Sequence, residues 1–235
     1  MQLSLLTEVT DRQRLFDSTS AKEIAAYAAS GGTIHCAKGC GGCCTLAVNC
    51  TAPEALLIGN SLDKPQLERL DRYIQRLKAK LSSAIDLKSY LRIHRKELGG
   101  CPFLEESSCT VYDSRPLSCR SLLSTKESHW CSADFSELSR EEKQSFMESL
   151  DRSHVAFPMH YLAATQNLAQ EMENQLAMVM MQESGLAIYG SMPVLVYLFA
   201  ECNLAGAIAD GVDAVRAFAA LTGFDNPFTL QVETL

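Results

Sequence analysis

Nine consecutive residues, Cys36-Ala-Lys-Gly-Cys-Gly-Gly-Cys-Cys44, carry four thiols and three glycines. Neither a helix nor a strand gains from that composition, because glycine costs backbone entropy in both. A loop that must fold tightly around a bound group does gain from it. Clustered thiolates suit a soft or borderline metal, either zinc or the iron of an iron–sulfur cluster. The box therefore poses the question for the rest of the chain: what completes its site?

The balance of 47% hydrophobic and 21% charged residues is that of a globular protein, and 235 residues suit one large domain or two small ones. A net charge of −7 and a pI of about 5.3 argue against a nucleic-acid-binding surface, which needs a basic excess. The first residues lack the basic start and apolar run of a signal peptide. No stretch approaches the ~18 apolar residues of a membrane helix, and the best candidate, Met192 to Ala200, ends at Glu201. The expectation is a cytoplasmic protein without nucleic-acid or membrane partners. In a reducing compartment its ten cysteines read as metal ligands or redox groups before disulfides.

Helical signals cover most of the remaining chain. Residues 1–20 show little periodicity and read as partly irregular, and Ala21 to Ser30 reads as a helix capped by Ser20 with Glu23 three residues on. Thr51, Pro53 and Glu54 mark the start of a second helix that runs to about Leu62. Leu67, Leu70, Ile74, Leu77 and Leu81 step by three and four, which predicts an amphipathic helix. Another covers Leu87 to Leu98. After the loop-rich stretch 101–135, Ser139 and Glu142 open a helix expected to reach about His154. Further helices are expected over His160 to Glu183, Pro193 to Ala209 and Val212 to Leu221. The fold class is mostly α, with an irregular cysteine-rich region inserted between helices. Residues 1–135 form the cysteine-cluster part with its interleaved helices, and 136–235 a helical part packed on it.

A second group of thiols lies in the loop-rich stretch: Cys101-Pro-Phe-Leu, then Cys109-x-x-Tyr112-x-x-Arg115-Pro116-x-x-Cys119-Arg120, then Cys131. Four thiolates saturate one zinc or one cluster, so the eight grouped cysteines could serve two centres. Gaps of three, two and no residues in the first box lie closer to the dense runs around iron–sulfur clusters than to the spaced pairs of zinc ribbons. An iron–sulfur cluster, 4Fe–4S before other types, is the first expectation for the cofactor and zinc the second. Eight buried, unligated thiols would bring oxidation risk without packing benefit.

These motifs, together with Thr51-x-x-Glu54-Ala55, resemble the cysteine-cluster family named for its CxxCxxCC box, whose members are described as zinc- or iron-chelating. The resemblance runs from about Cys36 to Cys131. It implies metal binding by Cys36, Cys40, Cys43, Cys44, Cys101, Cys109, Cys119 and Cys131, and it assigns no reaction. The first gap here is three residues where the family name has two, which sets Cys36 apart from the other box ligands. A flagellin lysine methylase is similar over the same box, but the helical remainder gives no sign of a methyl-donor site.

Other residues carry further readings. Glu54 either ligates metal or accepts hydrogen bonds from the cysteine loop, or it complements the helix dipole. Arg115 and Arg120 flank Cys119 and could offset the negative charge of a thiolate-bound metal, against a role in surface ion pairs. Tyr112 is expected to pack beside the site. His35 and His129 adjoin cysteines and either could replace a thiolate as a ligand, but both are expected to face solvent, and His154 and His160 to be structural. Met178, Met180 and Met181 read as packing. Cys50 and Cys202 fall outside the pattern: Cys202 is expected to be buried in a helix, and Cys50 is near enough to the box to be a spare ligand. A metalloprotein with redox, sensing or cluster-based chemistry is the leading expectation. A structural zinc module in a protein-interaction domain, and a metal-trafficking protein, are the alternatives. A protein partner or homodimer would use the C-terminal helices.

Overall fold

The computed structural model describes residues 2–234, with side chains from residue 4. Its first element is a single helix, α1 (Gln2–Ala29), where the sequence predicts an irregular start and a helix only from Ala21. The buried stripe of α1 is Leu5, Val9, Gln13, Phe16, Ser20 and Tyr27, at regular helical spacing. Two of its six members are polar, so apolar residues alone do not reveal the period. Ser20 lies inside the helix, not at its cap, and its hydroxyl donates to the Asp17 carbonyl.

After the cysteine box, β1 (Asn49–Thr51) leads directly into α2 (Ala52–Gly59). The helix starts where predicted: Glu54 accepts hydrogen bonds from the backbone and hydroxyl of Thr51 at 3.0 and 2.8 Å. It stops at Gly59, three residues short of the expected end. α3 (Lys64–Leu81) buries Leu70, Tyr73, Ile74, Leu77 and Leu81 as its periodicity requires, with Asp63 capping its start on Gln66. α4 (Leu87–Lys96) buries Tyr90, Ile93 and His94.

The stretch 101–135 carries only short elements: a hairpin of β2 (Leu104–Glu105) and β3 (Ser108–Cys109), then α5 (Leu117–Arg120) and α6 (His129–Ser132). α7 (Arg140–Glu148) has the Ser139–Glu142 box but ends six residues before His154. There the Asp151 side chain accepts from the Ser153 backbone, a local turn that competes with helix. α8 (Ala163–Ser184) closes on Gly185 in the left-handed conformation, φ 74°.

β4 (Leu186–Ser191) follows, then α9 (Met192–Cys202), α10 (Leu204–Ala209), α11 (Val212–Thr222) and β5 (Leu230–Thr234). The helix expected over Pro193 to Ala209 is split at Asn203, which turns left-handed at φ 61°. Strands β1, β4 and β5 form an antiparallel sheet in that order, with Cys50 opposite Gly190 and Ile188 opposite Val232. The main core draws on both parts of the chain, from Ala55, Ile58, Leu70 and Leu77 to Val194, Leu198 and Phe224. The fold is mostly helical. Among the described residues no helix is long and apolar enough to cross a membrane.

Candidate metal centre

The box leaves α1 at Gly31-Gly32 and runs without regular structure to a single 3-10 turn, Gly42–Thr45. Two glycines shape the path of this loop. Gly39 sits at φ 88°, a left-handed conformation that lets Cys40 N–H close a turn onto the Ala37 carbonyl. A Cβ on Gly42 would lie 2.7 Å from the Ser128 carbonyl oxygen and 3.2 Å from Cys131 Cβ, so α6 rests directly on the box. Cys43 and Cys44 occupy the 3-10 turn itself.

Backbone contacts bring the second thiol group to the first. Cys101 N–H donates to the Cys44 carbonyl at 2.8 Å. The β2–β3 hairpin, anchored by the fully buried Phe103, then returns Cys109 to the same side. Cys119 sits in α5, whose first N–H, on Leu117, donates to Glu54 Oε1 at 2.7 Å. Ser118, next to it, donates to Glu173 of α8. One buried carboxylate therefore ties the helix after the first box to the helix that carries the last thiol of the second motif.

These contacts enclose a cavity of about 80 Å³ bordered by Cys40, Cys43, Cys44, Cys101, Cys109 and Cys119. One water needs about 10–15 Å³ on this scale, so the space exceeds that of a single water. Tyr112 and Arg115 also border it, with the guanidinium 3.9 Å from the centre of the Tyr112 ring. Leu46, Val48, Met192 and Pro193 supply apolar wall. Among the described residues no three His, Cys, Asp or Glu side chains converge as ligands of one ion. Six cysteines border the same space.

Electrostatics at the cavity favour neutral thiols while it is metal-free. Burial pushes Cys101 up to about 12 and holds Cys119 well above the ordinary thiol value. Cys43 is raised first by its hydrogen bond with the Cys44 thiol and then by burial. Cys109 is raised by burial, and the Arg115 charge opposes the rise at Cys43, Cys109 and Cys119. The thiols also oppose one another's ionisation: Cys43, Cys101 and Cys109 each act on Cys119. A bound cation would remove these penalties by taking the place of the protons. Soft sulfur donors, a charge-offsetting arginine and space for more than one atom fit a thiolate-bound metal group.

Two of the eight grouped cysteines lie outside the cavity wall. Cys36 is exposed, its sulfur accepting from Ser124 N–H at 3.1 Å. Cys131 is buried, 3.4 Å from Nε2 of His160. Both are near enough to Cys40 and Cys43 for their charges to act on each other. Arg120 turns away from the cavity. Its guanidinium pairs with Asp17 at 2.7 Å and donates to Gln13 and to the Asp113 carbonyl, fastening α5 to α1. Glu54 is fully buried and occupied by Thr51 and Leu117, off the cavity wall. Cys50 is buried in β1, and Cys202 lies at the end of α9.

Sequence reasoning missed Tyr73 and His94, both on the cavity wall. The available signal was the spacing of Tyr90, Ile93 and His94, which places the histidine on the buried face of α4. In sequence His94 merges into the basic run His94-Arg95-Lys96 that ends the helix.

Residues 35–146 match the model of the CxxCxxCC family, described as a "Putative zinc- or iron-chelating domain". The matched segment contains all eight grouped cysteines and covers just under half of the chain. No curated protein and no solved structure matches this chain.

Proposed function

With residues 35–146 read as a zinc- or iron-chelating domain, we propose that the thiol cavity binds an iron–sulfur cluster, 4Fe–4S in the first instance. The proposed ligands are Cys43, Cys101, Cys109 and Cys119. The observation that carries this reading is the arrangement of six cysteines around one space of about 80 Å³. A tetrahedral structural zinc wants four donors at about 2.3 Å from one point. A 4Fe–4S cluster takes one thiolate on each of its four irons, so its ligands surround a larger space than those of one ion. Cys36, Cys40, Cys44 and Cys131 are enough in number for a second centre beside the first.

Such a group supplies electron transfer, redox sensing or Lewis-acid chemistry when bound. The chain's own residues prepare its environment. Arg115, held over Tyr112, offsets the net negative charge of a thiolate-bound group. Val48, Leu46 and Met192 exclude water from one side. All ten cysteines are free, as a reducing cytoplasm would keep them.

Protein purified without oxygen tests the proposal through its metal content, acid-labile sulfide and visible absorption. Brown protein with matching iron and sulfide is expected. Colourless protein with one or two zinc ions overturns the cluster reading in favour of a zinc staple that holds the short elements of 101–135 together.

A further inference from the structure

The cavity wall formed by α3 and α4 contains a polar pair with an unused hydrogen-bonding atom. Tyr73 and His94 both border the cavity, and they are only 2% and 4% exposed. The Tyr73 hydroxyl lies 2.8 Å from His94 Nδ1. His94 Nε2 is shut away from solvent and has no hydrogen-bond partner among the described residues. Buried polar atoms are rarely left unpaired, so each exception points to a missing partner.

Proton counting assigns the tautomer. The Tyr73 hydroxyl has no second partner among the described residues. Were Nδ1–H the donor, both the phenol hydrogen and the Nε2 lone pair would be stranded. With Tyr73 as donor, only Nε2–H is stranded. Burial favours the neutral ring as well, holding His94 down to about 4. Tyr90 packs edge-on against the ring with centroids 4.6 Å apart, which limits its rotation. His94 is thus a fixed, neutral ring with one N–H to give, beside a cavity whose polar lining is dominated by sulfur. Burial, and after it the proximity of Cys101, raise the Tyr73 hydroxyl pKa, which keeps it a neutral donor.

We infer that His94 donates its Nε2–H to a sulfur of the metal–sulfur group held in the cavity, as a positioning residue that stabilises the more reduced form. This rests on the iron–sulfur reading of the site. Hydrogen bonds to cluster sulfurs are among the levers that set a cluster's reduction potential, because they favour the state with more negative charge on sulfur. Tyr73 acts through the ring, fixing which nitrogen carries the proton.

The experiment compares anaerobic wild-type protein with His94→Phe, His94→Gln and Tyr73→Phe by iron and sulfide content and by spectroelectrochemical titration. Glutamine keeps an amide N–H near the position of Nε2, whereas phenylalanine keeps only the bulk. The expected result is full iron in all three variants, a lowered potential in His94→Phe, recovery toward wild type in His94→Gln, and a smaller lowering in Tyr73→Phe. An unchanged potential in His94→Phe overturns the inference. Loss of iron in His94→Phe equal to that in Cys119→Ser also overturns it, since His94 would then be a ligand. Should His94→Phe fail to fold, an unshifted Tyr73→Phe potential overturns it alone. Wild-type protein without iron and sulfide defeats the cluster reading, and the donor role with it, before any variant is made.

Discussion

Replacing Glu54 by alanine removes a side chain that ties the helix after the first cysteine box to the Cys119 helix. Its carboxylate is fully buried and accepts three hydrogen bonds, from Thr51 N–H at 3.0 Å, Thr51 Oγ1 at 2.8 Å and Leu117 N–H at 2.7 Å. The threonine hydroxyl can rotate to another acceptor, but the two backbone donors cannot. Each buried donor left unsatisfied costs about 1–3 kcal/mol, so their sum is about 2–6 kcal/mol. Part of this is offset because the substitution also relieves the burial that raises the Glu54 pKa. A net loss of about 2–4 kcal/mol is expected, a large share of the ~5–15 kcal/mol of a typical domain. Glu54→Gln keeps the volume but turns an NH2 toward one of the donors, and it should fall between alanine and wild type. The assay is urea unfolding of the reduced, metal-free protein. Were Glu54 a metal ligand, the metal-free protein would be unaffected and only the loaded protein weakened. A loss below about 1 kcal/mol in metal-free Glu54→Ala would refute the clamp.

Three further outcomes follow from the site. Cys101→Ser and Cys119→Ser should each cut bound metal to a small fraction of wild type, and Cys202→Ser, remote at the end of α9, should leave it unchanged; metal analysis of purified protein decides. Gly42→Ala should force α6 off the box, lowering both thermal stability and metal content, because its Cβ would meet the Ser128 carbonyl at 2.7 Å. Metal-free protein should weaken in acid. Burial holds His94 and His160 down to about 4 against an ordinary value of 6.5, so the stability they confer as neutral rings is complete above pH 6.5 and lost as pH falls toward 4. Urea midpoints at pH 7.5 and 4.5 measure that loss, and His94→Phe should reduce it.

Much of the helical layout could be read from caps, as at Thr51 with Glu54, and from apolar steps, as at Leu70, Ile74 and Leu77. α1 could not be read this way. Gln13 and Ser20 interrupt its apolar stripe because Gln13 is spent on the chain around Arg115 and Arg120. That omission hid the difference between the two arginines. Both flank Cys119 in sequence, yet Asp17 and Gln13 of α1 claim Arg120 while Arg115 stays on the cavity wall. The sheet was equally hidden: β1 has three residues, and its buried centre, Cys50, looks in sequence like a spare ligand. The eight grouped thiols were legible because their chemistry is local in sequence. Which of them share a cavity depends on the Cys44–Cys101 and Glu54–Leu117 contacts, which join residues more than fifty positions apart. His94 and Tyr73 meet across two helices, and no spacing rule connects them.

Native mass spectrometry of protein kept free of oxygen throughout purification tests the central claim most directly, since it counts the atoms held per folded chain. The account predicts a mass increment of iron and sulfide in equal numbers, lost in Cys119→Ser and retained in Cys202→Ser. An increment of zinc alone, in wild-type protein, would contradict it.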